Sequence, residues 1–137
     1  MLLLNVPPDT DGLLPAADVA RLREFRERVD RELPEDLARG GRTSAAPGRV
    51  TVDLGADLEA DRIRRAEDIR YGQQVEGFVV EAFRDGRWAE VTRAGVIGAS
   101  RILLLAAPVR ARRWRVRVTA ARGAVRIAEF GMSRSRV

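Results

Sequence analysis

Carboxylates are the side chains in this sequence best suited to act as acid or base catalysts. There are 20 of them, against 25 basic residues that are all arginine. Histidine and cysteine are both absent. That excludes Ser-His-Asp and Cys-His triads, an imidazole base, and any zinc site built on imidazole or thiolate. No metal or cofactor is therefore expected.

Ten of the carboxylates fall into four groups. Glu24, Glu27, Asp30 and Glu32 decorate a helix opposite its apolar stripe, which suits solvated surface charge. Glu35 and Asp36 lie near a helix end. Asp9 and Asp11 belong to a turn-rich stretch, where side-chain oxygens bond to nearby backbone. Glu67 and Asp68 stand close to Tyr71, a polar and ring-containing set of the kind that binds carbohydrate. These three are candidate carbohydrate-binding residues. Of the other aromatics, Phe25, Phe78 and Trp114 fall on inward phases and Trp88 reads as packing, whereas Phe83 is expected to be exposed. No GxxxxGK[ST] loop and no strand–GxGxxG–helix unit is present, so nucleotide binding has no support.

The elements that must position these residues follow from periodicity. Leu2-Leu3-Leu4 is a bare apolar run, as in a strand covered on both faces of a parallel sheet. Pro7-Pro8 ends it and Asp9-Thr10-Asp11-Gly12 turns. Val19, Leu22, Phe25, Val29 and Leu33 then recur at helical spacing, with Pro15 in the first turn and Pro34 as the stop. Such a strand–loop–helix unit cannot bury itself alone. Residues 39–49 are rich in Gly, Ser and Ala and read as a linker. Beyond them come short strands: Val50–Leu54, Ile63–Ile69, Gln74–Phe83, Trp88–Thr92, Arg101–Ala106, Arg112–Thr119 and Val125–Met132. Asp85-Gly86 is a hairpin turn. In Arg112–Thr119, Trp114, Val116 and Val118 alternate inward against Arg113, Arg115 and Arg117. The expectation is an antiparallel β-sandwich over residues 50–137, preceded by a strand and helix unit over residues 1–38.

Charge is uneven. Residues 1–100 carry a net −4 and residues 101–137 a net +9, the latter with Glu129 as its single acid. A basic segment can mark nucleic acid or a membrane surface. Arginines alternating along an exposed strand face explain it more simply, and neither partner is expected. The start, Met-Leu-Leu-Leu-Asn-Val, lacks the basic region and apolar length of a signal peptide, so a cytoplasmic location is expected.

The order of these parts resembles a known family. LLLNVPPDTDGLLP (Leu2–Pro15) with its amphipathic helix resembles the last strand, loop and helix of the catalytic barrel in α-L-fucosidases of glycoside hydrolase family 29. VTVDLG (Val50–Gly55), EDIRYGQQVEGFVVEAF (Glu67–Phe83), DGRWAEV (Asp85–Val91), IGASRILLL (Ile97–Leu105), ARRWRVRV (Ala111–Val118) and IAEFGM (Ile127–Met132) resemble the same enzymes' C-terminal sandwich. That domain is galactose-binding-like, or discoidin-like.

The resemblance implies a retaining glycosidase acting on fucosylated glycans, which needs two carboxyls about 5–5.5 Å apart. In the family both lie upstream of the matched strand, so no residue here is assigned as catalytic and the chain is expected to be inactive alone. Asn5, after the last barrel strand, would face the pocket side of the barrel. The join of Arg39–Arg49 is shorter than the family's, which predicts a sandwich lacking an edge. A stand-alone carbohydrate-binding or interaction module is the alternative. Linkage specificity and oligomeric state stay open.

Overall fold

Helix α1, Ala16–Glu32, begins directly after Pro15 and ends at Leu33, as the proline spacing predicts. This computed structural model describes residues 3–137. Surface pairs Arg21–Glu24, Arg26–Asp30 and Arg28–Glu32 support the helix at i,i+3 and i,i+4 spacing. Its apolar stripe is real but uncovered. None of its residues is buried, and Phe25, expected in a core, is 48% exposed. The strand expected over Leu2–Asn5 is absent from Leu3 onward, while Leu2 itself lies outside the described residues. Leu3 and Leu4 are exposed and belong to no ladder. A two-sided strand needs flanking strands to satisfy its backbone, and the chain offers none there.

The remainder is antiparallel β-structure. The strands are β1 (Arg42–Ala46), β2 (Arg49–Glu67), β3 (Val75–Arg84), β4 (Arg87–Ala94), β5 (Arg101–Ala121) and β6 (Ile127–Ser133). Hydrogen bonding runs in the order β1-β2-β5-β3-β4, and β6 adds to β2. Two strands are much longer than the sequence suggests. Val50–Leu54 and Ile63–Ile69 merge into β2, and Arg101–Ala106 and Arg112–Thr119 merge into β5. Both bend where their register shifts, between Asp53 and Leu58 and between Ala60 and Arg62 of β2. The first half of β2 pairs with β1 and the end of β5, and its second half pairs with β6 and the start of β5. Bent strands that pass from one layer to the next close a sandwich-like core. Gly55, at φ 84°, makes the turn at the first bulge, and its N–H donates to Asp53 Oδ1 at 2.8 Å.

The core holds Val52, Ile63, Val75, Phe78, Val80, Trp114, Val116 and Met132, all nearly fully buried. The buried indole N–H of Trp114 donates to the Ala111 carbonyl at 3.1 Å. Asp85 and Gly86 both adopt positive φ, as a type I′ hairpin between β3 and β4 requires.

The segment expected as a linker is different in kind. Residues 39–49 contain β1 and the turn that pairs it with β2, with Gly48 at φ 64° after Pro47. The edge expected to be missing is thus occupied by β1. The short join was misleading because a proline-glycine turn folds a strand into eleven residues that look unstructured. Residues 34–38 are pinned too. Asp36 Oδ1 accepts from Ala38 and Met132 N–H, and Leu37 N–H donates to the Met132 carbonyl. No helix among the described residues is long and apolar enough to cross a membrane.

Candidate functional site

Three loops meet at one end of the sandwich, and Glu67 is what gathers them. Along β2, Ile63, Arg65 and Glu67 share the inward phase, and all three are buried. One carboxylate oxygen of Glu67 accepts from the N–H groups of Gln74 and Val75, both at 2.9 Å. The other accepts from Gly98 N–H at 2.9 Å. Glu67 N–H donates to the Gly98 carbonyl, and Asp68 N–H to the Arg126 carbonyl. The candidate carboxylate is thus aimed at backbone donors inside the fold rather than at solvent.

Asp68 and Tyr71 face outward. Asp68 caps the one-turn 3₁₀ helix Ile69–Tyr71 and forms a bidentate pair with Arg70 at 2.6 and 2.8 Å. Hydrogen bonding to Arg70 pulls its carboxyl down to about 2. Tyr71 is 57% exposed, with the Arg126 guanidinium 4.1 Å from its ring centre and Arg70 at 5.8 Å. Of the three residues expected to act together, two share the exposed loop end and the third is turned inward.

Asn5 lies elsewhere. It lines a shallow groove between the N-terminal segment and α1, together with Leu4, Val6, Asp18, Arg21, Leu22 and Phe25. Asp9 Oδ1 accepts from Asp11 and Leu13 N–H at 2.9 Å each, so Asp9 builds the turn before α1.

Buried Asp61 and partly exposed Glu32 are also held by partners. Asp61 accepts from Ser135 N–H, Ser135 Oγ and Arg134, fixing the last residues of the chain against β2. Burial pushes its carboxyl up, but those bonds with Arg62 and Arg134 nearby outweigh it, and the net direction is down. Glu32 at the end of α1 reaches Arg62 at 2.6 Å, which lowers its carboxyl. Among the described residues no group of three or more carboxylates could hold a metal ion.

Sequence reasoning placed an arginine ladder on the outer face of the β1-β2-β5-β3-β4 layer but missed the partners it meets there. Arg113, Arg115 and Arg117 do project there, yet they are engaged. Arg115 Nε bonds Glu81 at 2.5 Å, and Arg117 approaches the same carboxylate at 3.6 Å. Hydrogen bonding to Arg115 lowers the Glu81 carboxyl. Arg113 lies over the Phe83 ring at 3.9 Å and Arg115 over Trp88 at 4.4 Å. Phe83, expected to be exposed, is half-buried edge-on against Trp88. The signal was available: Glu81 and Phe83 share the strand phase of the arginine ladder once β3 and β5 are paired.

A bent, two-layer antiparallel module with a helix tethered at one end is the class of protein these features define. No family model and no curated protein matches the chain by sequence. Solved structures do match it, along nearly its whole length. They include a glycoside hydrolase family 29 member from an unknown rumen bacterium (28% identity, TM-score 0.81, 98% of this chain and 26% of that one). Another is a protein assigned as an α-L-fucosidase from Bacteroides ovatus (32% identity, TM-score 0.78, 99% and 24%). A third, assigned likewise, is from Bacteroides thetaiotaomicron (26% identity, TM-score 0.79, 93% and 29%). The chain is therefore similar to family 29 glycoside hydrolases, and it spans about a quarter to a third of the length of those it matches. A chitosan-binding module from Paenibacillus shares the fold alone, at 15% identity and TM-score 0.53.

Proposed function

We propose that this chain is the C-terminal part of an α-L-fucosidase, whose intact form removes terminal α-L-fucosyl groups from glycans. Its sandwich is then the galactose-binding-like accessory domain. Its residues 1–38 are the last strand and helix of the catalytic barrel. One observation carries the reading. The stretch of the chain that cannot bury itself, the exposed Leu3, Leu4, Leu13, Leu14 and Phe25 with α1, is the stretch a barrel would cover. An uncovered apolar helix face beside an exposed apolar segment is costly in water, and a neighbouring α/β layer removes that cost. Asn5 would then lie at the pocket side of that barrel.

In the family that this chain resembles both carboxyls of the two-step reaction lie upstream of the matched strand, so the chain alone is expected to lack them. Purified chain should release no measurable aryl alcohol from an aryl α-L-fucoside. Sustained turnover that survives repurification would overturn the reading. The DNA upstream should encode barrel strands and helices, in the same frame or another. If it encodes an unrelated protein, the sandwich works as a module in its own right.

A further inference from the structure

One row of side chains crosses the outer face of the sheet. Ser44 of β1 stands opposite Thr51 of β2, Thr51 opposite Arg115 of β5, and Arg115 opposite Glu81 of β3. Directly opposite residues project from the same face, so with strands about 4.8 Å apart the row makes a polar strip roughly 14 Å long. Over its β1-β2-β5 part lies an open groove of about 200 Å³, lined also by Arg49 and Trp88.

Two features make this groove more than a gap between side chains. Arg115 is fixed from both sides, its Nε on buried Glu81 and its plane over the Trp88 indole. A guanidinium carries five N–H donors in a rigid fork, and the bond to Glu81 uses one of them. The fork is therefore oriented before any ligand arrives, at the cost of a buried carboxylate that packing alone does not require. The second feature is Arg49. It is exposed, lines the same groove, and pairs with no carboxylate among the described residues.

Two guanidiniums beside two hydroxyls and an indole select an anionic, hydroxyl-rich ring. A neutral sugar would seek the face of the indole, which Arg115 already covers. A nucleic acid would need a run of free cations to track its phosphates. Arg113 and Arg117 are instead committed to Phe83 and Glu81. The geometry points to this groove as a binding site for an acidic saccharide. Its carboxylate or sulfate ester lies on Arg49 and Arg115, its hydroxyls meet Ser44 and Thr51, and its ring packs along the Trp88 edge. The inference does not depend on the fucosidase reading.

The test is calorimetric titration of the purified full chain with three probes of equal length: trigalacturonate, a sulfated galactotriose and neutral galactotriose. At least one acidic probe should bind at least tenfold more tightly than the neutral one. Which acidic probe binds distinguishes uronate from sulfate recognition. Arg49→Ala should weaken that binding at least tenfold. Arg23→Ala, which removes an equal charge from exposed α1, should leave it unchanged. Both variants alter exposed side chains, and matching circular dichroism melts confirm that they fold. The inference is overturned if no probe binds or if neutral galactotriose binds equally. Equal losses from Arg49→Ala and Arg23→Ala, or displacement by duplex DNA at the same concentration, would overturn it as well.

Discussion

Replacing Glu67 separates a loop staple from a ligand carboxylate. Its three backbone bonds differ in what happens when it is removed. Val75 N–H is buried, whereas those of Gln74 and Gly98 lie where water can reach. An orphaned buried donor costs about 2 kcal/mol, and each rehydrated one roughly 0.5–1 kcal/mol. Losing a desolvated carboxylate returns part of this. Glu67→Ala should therefore cost about 3 kcal/mol, lowering the melting temperature by on the order of 10 °C for a chain of this size. Glu67→Gln keeps one acceptor for Gln74 and Val75 but turns an amide donor on Gly98 N–H, and should cost about 1–2 kcal/mol. Urea unfolding measures both, and an unchanged slope confirms that stability alone has moved. A cost below about 1 kcal/mol for Glu67→Ala would refute the staple. So would a gain in stability, which is what removing a functional carboxylate held against its environment commonly gives.

Two further substitutions probe the interior. Arg65 is fully buried over the Phe130 ring, its three guanidinium nitrogens have no hydrogen-bond partner, and burial drives its pKa well down. Arg65→Met keeps a flexible side chain against the ring and removes the buried cation. It should stabilise the protein by about 1–4 kcal/mol in urea, and a loss of stability would show that the guanidinium has a partner. Asp61, Asp68, Glu32 and Glu81 all have carboxyls lowered by folding. The unfolded chain then binds more protons, so their contribution is complete above the ordinary carboxylate range and falls away as pH drops from about 4.5 towards 2. Urea midpoints across that range should decline for the natural sequence. Asp61→Asn should lower the midpoint at neutral pH and make the acid decline shallower, and a decline of equal steepness would remove Asp61 from the group.

Local chemistry was legible wherever one residue dictates one conformation. Asp85-Gly86 announces its turn because a type I′ hairpin needs positive φ at both centres. Trp114 and Val116 announce their burial by alternation. What stayed hidden is non-local. Arg-Thr-Ser-Ala-Ala has little β-propensity and is exposed throughout, so β1 exists because β2 offers it an edge. The two long strands were read as four because Gly55, and the residues facing Asp61 in β5, interrupt the pattern as a strand end would. Glu67 beside Tyr71 suggested a shared site by nearness in sequence. The alternation Ile63, Arg65, Glu67 points the other way, and in a strand the phase outranks proximity.

The join between α1 and the sandwich changes what a covering domain could do. A flexible linker would let the helix and its partner move freely against the sheet. Instead Asp36 binds two backbone N–H groups, Leu37 and Ala38 pack against the core, and Glu32 reaches Arg62. The Arg136 N–H also donates to the Arg31 carbonyl at 2.8 Å, so the end of the chain clasps the last turn of α1. Close packing continues at Gly41, where a Cβ would meet the Asp53 carbonyl oxygen at 2.9 Å. These contacts all lie on the last turn of α1 and the residues that follow it, so they tie that end of the helix to β2, β6 and the C-terminal residues. Any domain that covers the apolar face of α1 is thereby joined to the sandwich through pinned backbone rather than through loose chain.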